Sequence, residues 1–300
     1  MSTHRMSPRL RRGTALAAVA TLGLTLAACS SDDGGSEGGD KEVTLGYVPG
    51  WPDGLTMANL LEHQLTAAGY DVELEELNDV GVLYTAVADG DVDMYPSAWS
   101  GLHESYMEKY EGKLENLGDF YDGGTTYLGV PEYTDVDSIE DLADNVDKFG
   151  GTITGIEASA GVMDDTEEVI EAYGLEDAGY TLKPSGTPAM LAALDDAIKS
   201  KEDILVTMWT PFWPNAVYPL KQLEDPKGAF DIENNLQFQA TAGFGDEQSE
   251  VAEWLGKIKL DDEQYSSLEK AVAQDNADDP QAGVEAWLEE NPDVVPAFEG

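Results

Sequence analysis

Three of the six tryptophans stand where β-rich runs of sequence end, so their rings could contact a ligand. Trp51 follows one such run, Trp99 ends another, Trp209 follows a later one, and all three lie within two residues of a Pro or Gly. In open α/β sheets, ligands bind at the carboxyl ends of the strands. One tryptophan at such a position is explained by packing alone, but three together favour a shared site.

Indole rings favour a cationic ligand. The face of the ring carries negative quadrupole density, and a quaternary ammonium group binds there well because it forms no hydrogen bonds and loses little hydration. Each desolvated contact contributes roughly 0.5–2 kcal/mol, so three or four rings can supply micromolar binding together with contacts to the polar end of the ligand. The pattern predicts a quaternary-ammonium ligand, and another small cationic or zwitterionic compound stays open as the alternative.

The composition argues against nucleic acid as a partner. The chain has 60 acidic residues against 16 Lys and Arg, which gives a formal net charge of −44. Such a surface repels nucleic acid and anionic membranes and is easier to reconcile with a cationic or zwitterionic ligand. Solubility or adaptation to a salty medium accounts for most of the acidity, so charge alone does not identify the ligand.

The sequence lacks the motifs of common enzyme classes. It has no His-Glu-x-x-His pair and no Gly-rich phosphate loop, and Glu157 stands where a nucleophile elbow at Ser159 needs glycine. His63 is expected on a solvated helix face. His103 follows Trp99 by one helical turn and is expected on the surface, with a place in the cleft as the alternative. We therefore expect a binding protein without catalysis and without a cofactor.

A calcium site is the alternative from another functional class. The sequence from Asp89 to Asp93 starts like a calcium loop, but Met94 replaces the glycine of the turn and Ser100 replaces the closing glutamate. The one cysteine, Cys29, can form neither an intrachain disulfide nor a thiolate cluster. We expect no metal site, and a calcium-binding or adhesive surface lipoprotein stays open as the alternative function.

The first 28 residues are predicted to be an export signal. Four arginines between positions 5 and 12 precede a short apolar run at residues 14–26, which is too short to span a bilayer. The ending Leu-Ala-Ala-Cys resembles the lipobox of bacterial lipoproteins and predicts that Cys29 is lipidated; an ordinary signal with a chance cysteine is the alternative. Residues 29–42, rich in Gly, Ser and acids, are predicted to be a flexible tether.

Strand and helix patterns alternate in the rest of the chain, which indicates an α/β fold with parallel sheets and helices on both faces. Trp254 and Trp287 lie within amphipathic helical patterns and are expected to be core anchors. The mostly helical end suggests that the chain passes between two lobes more than once, with lobe 1 at residues 43–129 plus 237–300 and lobe 2 at residues 130–236. Strands are predicted at residues 43–48, 70–77, 92–99, 152–156, 180–182 and 204–208, and helices at residues 55–68, 80–88, 162–173, 188–199, 251–258, 263–273 and 282–289.

Several short motifs follow one another between residues 43 and 225. Together they resemble the substrate-binding proteins of glycine betaine, proline betaine and choline ABC importers. The motifs are Leu45-Gly46-Tyr47-Val48, Trp51-Pro52-Asp53-Gly54-Leu55, Ser97-Ala98-Trp99, Val130-Pro131-Glu132-Tyr133, Ile153-Thr154-Gly155-Ile156-Glu157 and Val206-Thr207-Met208-Trp209-Thr210-Pro211-Phe212-Trp213.

The resemblance implies a two-lobed fold of the periplasmic-binding-protein kind, type II, with the ligand in the cleft between the lobes. It also implies a monomeric receptor on the outer face of the cell membrane, which delivers its ligand to the permease and ATPase of an ABC importer. Carried over to this chain, Trp99 and Trp209 are walls of an aromatic cage, and Trp51 and Tyr127 match wall positions of choline-type members.

The resemblance leaves the polar end of the ligand open. The backbone N–H groups of Gly54 and Leu55 match the position that holds a betaine carboxylate at a helix start. Asp53 beside them is either a helix N-cap or a ligand contact, and as a contact it would favour choline over betaine. The chain departs from the family pattern after Glu157, near Leu260, where a late tryptophan is expected, and at Phe212, where histidine is common.

Overall fold

The computed structural model describes residues 41–230 and 234–298. The predicted export signal, Cys29 and residues 29–40 of the predicted tether lie outside these ranges. The first strand already includes Glu42, the last residue assigned to the tether. The nine strands of the described part are β1 Glu42–Tyr47, β2 Asp71–Glu76, β3 Met94–Trp99, β4 Leu114–Pro131, β5 Thr152–Thr154, β6 Thr181–Lys183, β7 Val206–Thr210, β8 Leu220–Gln222 and β9 Asn234–Thr241.

Eleven α-helices accompany these strands in the described part. Each of the seven predicted helices is present, with ends shifted by a few residues. Short 3₁₀ segments follow β4 at Ile139–Asp144 and Val146–Lys148, and a π-helical turn, Lys270–Asp275, continues α10. The helices are α1 Pro52–Ala67, α2 Val80–Asp89, α3 Glu104–Lys109, α4 Gly161–Tyr173, α5 Leu175–Ala178, α6 Thr187–Ser200, α7 Pro214–Val217, α8 Phe244–Glu247, α9 Ser249–Leu255, α10 Asp262–Glu269 and α11 Pro280–Glu290.

Local sequence signals set several helix ends. The side chain of Asp79 accepts a hydrogen bond from the backbone N–H of Val82 and caps the start of α2. The same helix ends at Gly90, whose φ of 76° lies in the left-handed region that glycine adopts without a steric cost. Asp261 and Gln264 form a reciprocal capping box at the start of α10. These caps satisfy backbone groups that a helix end leaves unpaired.

The sheet is mixed: the six predicted strands pair with one another in parallel, as expected, and the strands that were not predicted add antiparallel pairs. Its strand order is β2-β1-β3-β9-β4-β7-β5-β6, with β8 paired to β4. The pairs β1/β2, β1/β3, β5/β6 and β5/β7 are parallel, whereas every pair made by β4 or β9 is antiparallel. Neither strand was predicted, because the glycines and acids of β4 and the polar residues of β9 hide the alternation of a half-buried strand.

Strand β4 joins two parts of the sheet. Its residues up to Gly124 pair with β9, and its residues from Thr125 onward pair with β7 and β8. We call β1, β2, β3, β9 and the first part of β4 the first half-sheet, and the remaining strands the second half-sheet. The pairing changes at Gly124, five residues before the predicted end of the first segment of lobe 1 at residue 129, and the exact extent of the lobes stays a prediction.

The core is divided in a similar way. A large cluster of buried side chains surrounds the first half-sheet and extends to the tryptophans of β7 and α7, and a smaller one fills the second half-sheet around Ile139, Ile153 and Leu205. Trp254 and Trp287 are both 3% exposed, which confirms them as core anchors. Within residues 41–230 and 234–298, no helix has the length and apolarity needed to cross a membrane.

Candidate functional site

Trp51, Trp99 and Trp209 line one cavity. Trp51 follows β1 and Trp99 ends β3, so both belong to the first half-sheet, whereas Trp209 lies on β7 of the second. The three side chains are largely buried, at 7%, 5% and 6% exposed for Trp51, Trp99 and Trp209. The structure thus brings together the three side chains that the sequence singled out, and their contact with a ligand stays a prediction.

Asp53 lies in this cavity and orients a tryptophan. Its Oδ2 accepts hydrogen bonds from Trp99 Nε1 at 2.9 Å and from Ser97 Oγ at 3.0 Å. The carboxyl is 4% exposed, and burial raises its pKa, although these hydrogen bonds oppose the shift. Trp51, not Asp53, occupies the N-cap of α1, so the interpretation of Asp53 as the helix cap was wrong.

The residues expected to hold a ligand carboxylate do not line the cavity. Leu55 N–H donates to Trp51 O within the first turn of α1, and the Leu55 side chain faces a separate groove. The backbone N–H of Gly54 hydrogen-bonds to the Asp53 carboxyl group. The N-terminal residues of α4 line the cavity instead, with Ala160 at an N-cap that no side chain satisfies and Gly161 and Val162 after it.

Tyr127 supports the cavity wall from behind. It does not line the cavity; its hydroxyl donates to Asn215 Oδ1 at 2.7 Å, and Asn215 Nδ2 donates to Trp209 O at 2.8 Å. Burial raises the pKa of Tyr127 to about 12. The neighbouring Thr126 lines the cavity, because successive side chains of a strand point to opposite faces. The role of Thr126 depends on β4, which the sequence did not reveal.

His103 belongs to the cavity, so its predicted surface position was wrong. Its Nδ1 accepts a hydrogen bond from the backbone N–H of Trp99 at 3.2 Å, and its ring stacks on Trp51 with centroids 6.3 Å apart. The side chain is 2% exposed, and burial lowers its pKa to about 3. His103 is therefore a neutral imidazole at physiological pH and adds no positive charge to the cavity.

The remaining wall is apolar and comes from both half-sheets. Leu102 follows β3, and Ile156 follows β5. Phe212, which replaces the histidine of the family pattern, stacks on Trp209 at 3.9 Å between ring centroids and 14° between planes, so it supports that ring. Leu260 is buried and does not line the cavity.

The acids of the calcium-like loop have other partners. Asp89 pairs with Lys113 at 2.8 Å, and Asp93 Oδ2 accepts a hydrogen bond from the backbone N–H of Thr44 at 2.7 Å. Within the described ranges, no three His, Cys, Asp or Glu side chains converge in a way that could hold a metal ion.

Residues 41–290 match the family described as the substrate binding domain of ABC-type glycine betaine transport systems. This chain belongs to that family. The match covers both half-sheets and every residue that lines the cavity. It confirms the resemblance drawn from the sequence motifs.

Several known proteins are similar to this chain in sequence or in structure. The glycine betaine/carnitine transport binding protein GbuC of Listeria monocytogenes is 33% identical over 159 residues, which are 53% of this chain and 51% of GbuC. The match therefore spans about half the length of that relative. Lactococcal OpuAC, crystallised in a closed conformation with glycine betaine, superposes with a TM-score of 0.78 at 32% identity, over 87% of this chain and all of OpuAC.

A glycine betaine/L-proline-binding protein, ProX of Borrelia burgdorferi, superposes with a TM-score of 0.77 at 28% identity, over 86% of this chain and 96% of ProX. Together with OpuAC, this structure confirms the expected α/β fold of periplasmic binding proteins with a ligand cleft. In this chain, the cavity lies between the two half-sheets.

Proposed function

We propose that this protein captures a quaternary-ammonium compound in the cavity and delivers it to an ABC importer from outside the cytoplasm. One observation carries the proposal: three indole rings and a buried carboxyl group share a single cavity. None of the described residues that line the cavity is Lys or Arg. A cation in this cavity would meet aromatic faces and no competing positive charge.

The two ends of the cavity suit the two ends of a methylated zwitterion. The tryptophan faces would hold the methylated ammonium, and the N-terminal N–H groups of α4 would take a carboxylate, because a helix start carries unpaired N–H groups and partial positive charge. Glycine betaine is our first candidate, in line with the ligands named for GbuC and OpuAC. Choline, whose hydroxyl could donate to Asp53, is the second, ahead of other small cations and zwitterions.

We also propose a lipid anchor at Cys29. The basic start, the apolar run and the Leu-Ala-Ala-Cys ending support it. The Gly- and Ser-rich sequence after the cysteine would let the receptor reach the permease and ATPase of its importer while staying near the membrane. Replacement of Cys29 by Ser should release the protein from the membrane fraction of its host, and a variant that stays fully membrane-bound would contradict the anchor.

The test is a titration of intrinsic tryptophan fluorescence. Glycine betaine and choline are added in parallel, with glycine and calcium chloride as controls. We expect a saturable change with at least one methylated amine and none with either control, and we expect Trp99→Ala to weaken binding by about tenfold or more. A protein that responds to no methylated amine would refute the proposed ligand class, and a response to calcium alone would favour the calcium-binding alternative.

A further inference from the structure

The carboxylate of Glu157 joins the two half-sheets beside the cavity. Trp51 Nε1 donates to Glu157 Oε2 at 3.0 Å. Trp51 precedes α1 on the first half-sheet, and Glu157 lies three residues beyond β5 on the second. The Trp51 ring lines the cavity, as does Ile156 next to Glu157. We call the hydrogen bond between Trp51 and Glu157 the cross-cavity bond.

The second half-sheet holds Glu157 in place for this bond. Thr187 N–H donates to Oε1 at 2.9 Å, and Thr187 Oγ donates to Oε2 at 2.8 Å. Thr187 is the first residue of α6, a helix of 14 residues, so the carboxylate sits at the positive end of a helix dipole. None of the four ion pairs in the described part includes Glu157. Hydrogen bonds therefore fix this carboxylate, and its Oε2 also accepts from Trp51.

Two glycines make room for the carboxylate. A Cβ atom at Gly50 would lie 2.7 Å from Glu157 Oε1, and one at Gly186 would lie 3.3 Å from the same atom. Gly50 immediately precedes Trp51, and Gly186 immediately precedes Thr187, so each donor to Glu157 follows a residue without a side chain. A side chain at position 50 would therefore displace the Glu157 carboxylate from this arrangement.

We propose that Glu157 is a positioning residue that latches the closed cavity through Trp51. The inference rests on the proposed function, because it assigns the same ring two roles. One face of Trp51 would contact the ligand while its N–H reaches across to the opposite half-sheet. Ligand enters while the half-sheets are apart, and the bond forms whenever they meet, with or without ligand. Loss of the bond should therefore speed ligand release and leave capture unchanged.

The first test is Glu157→Gln, followed by stopped-flow tryptophan fluorescence with glycine betaine. The glutamine amide has one acceptor oxygen and one NH₂ group in place of the two carboxylate oxygens. The N–H group of either Trp51 or Thr187 would then face the NH₂ donor instead of an acceptor. We expect the dissociation rate to rise about tenfold and the association rate to change less than about twofold. Glu176→Gln is the matched control, because it removes the same charge from an exposed position on the second half-sheet. It should release ligand at the wild-type rate.

A double-mutant cycle tests the partner. Trp51→Phe removes the indole N–H and keeps an aromatic ring in the wall. In that background, Glu157→Gln should no longer change the dissociation rate, because the bond is already absent. The latch is refuted if Glu157→Gln alone has no effect, or if it speeds release equally in both backgrounds. Thr187→Val, which removes one of the bonds to the carboxylate, gives a smaller acceleration of about threefold and serves if Glu157→Gln does not fold.

A distance measurement without ligand separates the latch from the proposed function. Spin labels at Val82→Cys and Asp177→Cys, exposed positions on opposite half-sheets, are placed in a Cys29→Ser background. Glu157→Gln should shift the distance distribution to longer values than wild type and the Glu176→Gln control. If Glu157→Gln lengthens the distance but the protein binds no methylated amine, the proposed ligand class is refuted and the latch is supported. An unchanged distribution would refute the latch.

Discussion

At the scale of the residue, the sequence indicated which side chains belong to the cavity better than it indicated what those side chains contact. The tryptophans were found because strand ends beside Pro or Gly are visible in the sequence. Asp53 was noticed for the same reason, but its partners, Ser97 and the Trp99 indole, lie more than forty positions away and depend on the tertiary fold. His103 was placed on the surface because nothing local shows that Tyr84 and Tyr95 pack around its ring.

Asp53→Asn should separate the two main ligand candidates. Asparagine keeps an acceptor for the Trp99 indole N–H but lacks the negative charge of the carboxylate. In the wild type, that charge would attract choline and repel the carboxylate of glycine betaine. We expect choline binding to weaken by about tenfold, and glycine betaine binding to be unchanged or tighter. Isothermal titration of both ligands against both proteins measures this. Equal losses for the two ligands would show that Asp53 acts only by holding the Trp99 ring.

Asp165 should make stability depend on pH. This carboxyl of α4 is 6% exposed and accepts a hydrogen bond from Thr126, and burial raises its pKa to about 6. The pKa of the Asp165 carboxyl is thus higher in the folded protein than in the unfolded chain. The stability that protonation of this carboxyl contributes is therefore fully present below about pH 4 and is lost as the pH rises through 6.

Over that window, wild type should lose at most about 3 kcal/mol of unfolding free energy relative to Asp165→Asn. Urea unfolding of both proteins at several pH values measures how the difference between their unfolding free energies changes with pH. The other titrating groups are common to both proteins, so they cancel in this difference. A constant difference between the two proteins from pH 4 to 7 would show that the carboxyl titrates normally.

At the scale of the element, the helices followed from their apolar periodicity, and the strand that joins the half-sheets did not. Strand β4 contains Gly118 and the pair Gly123-Gly124, which are typical of loops. The structure gives a physical reason for Gly124: a Cβ atom there would lie 2.9 Å from the Trp99 ring and 3.0 Å from Leu236. Gly124 therefore makes β4 look like a loop in the sequence, and in the structure its missing side chain leaves room for the Trp99 ring.

Gly124→Ala should therefore disturb the cavity through Trp99. The added methyl group must displace either the ring or β9, so we expect a loss of stability of about 1–3 kcal/mol and weaker ligand binding. Gly256→Ala is the control, because a Cβ atom there meets its neighbours at ordinary distances of 3.7 Å or more. Thermal unfolding and fluorescence titration of both variants measure the two effects. Wild-type affinity in Gly124→Ala would show that Trp99 tolerates the displacement.

At the scale of the whole molecule, charge dominates the surface. Among the described residues there are only four ion pairs, all between Lys and Asp and all with at least one well-exposed member, although the sequence has 60 acidic residues. Exposed pairs of this kind add little stability, and unpaired acids repel one another. The cavity lies within this negative field and presents aromatic rings and Asp53 to an entering solute.

This field should distinguish a cation from a zwitterion by its rate of association. A cation is drawn toward a negative surface at low ionic strength, and salt screens that attraction once the Debye length falls from about 30 Å at 0.01 M to about 3 Å at 1 M. A zwitterion carries no net charge and gains little from the field. Melting temperature should rise with sodium chloride concentration because salt screens the repulsion between acids.

Stopped-flow association of choline should slow as the sodium chloride concentration rises, whereas that of glycine betaine should stay nearly constant. If the association rate of choline does not change with salt, the acidity serves solubility alone and takes no part in capture.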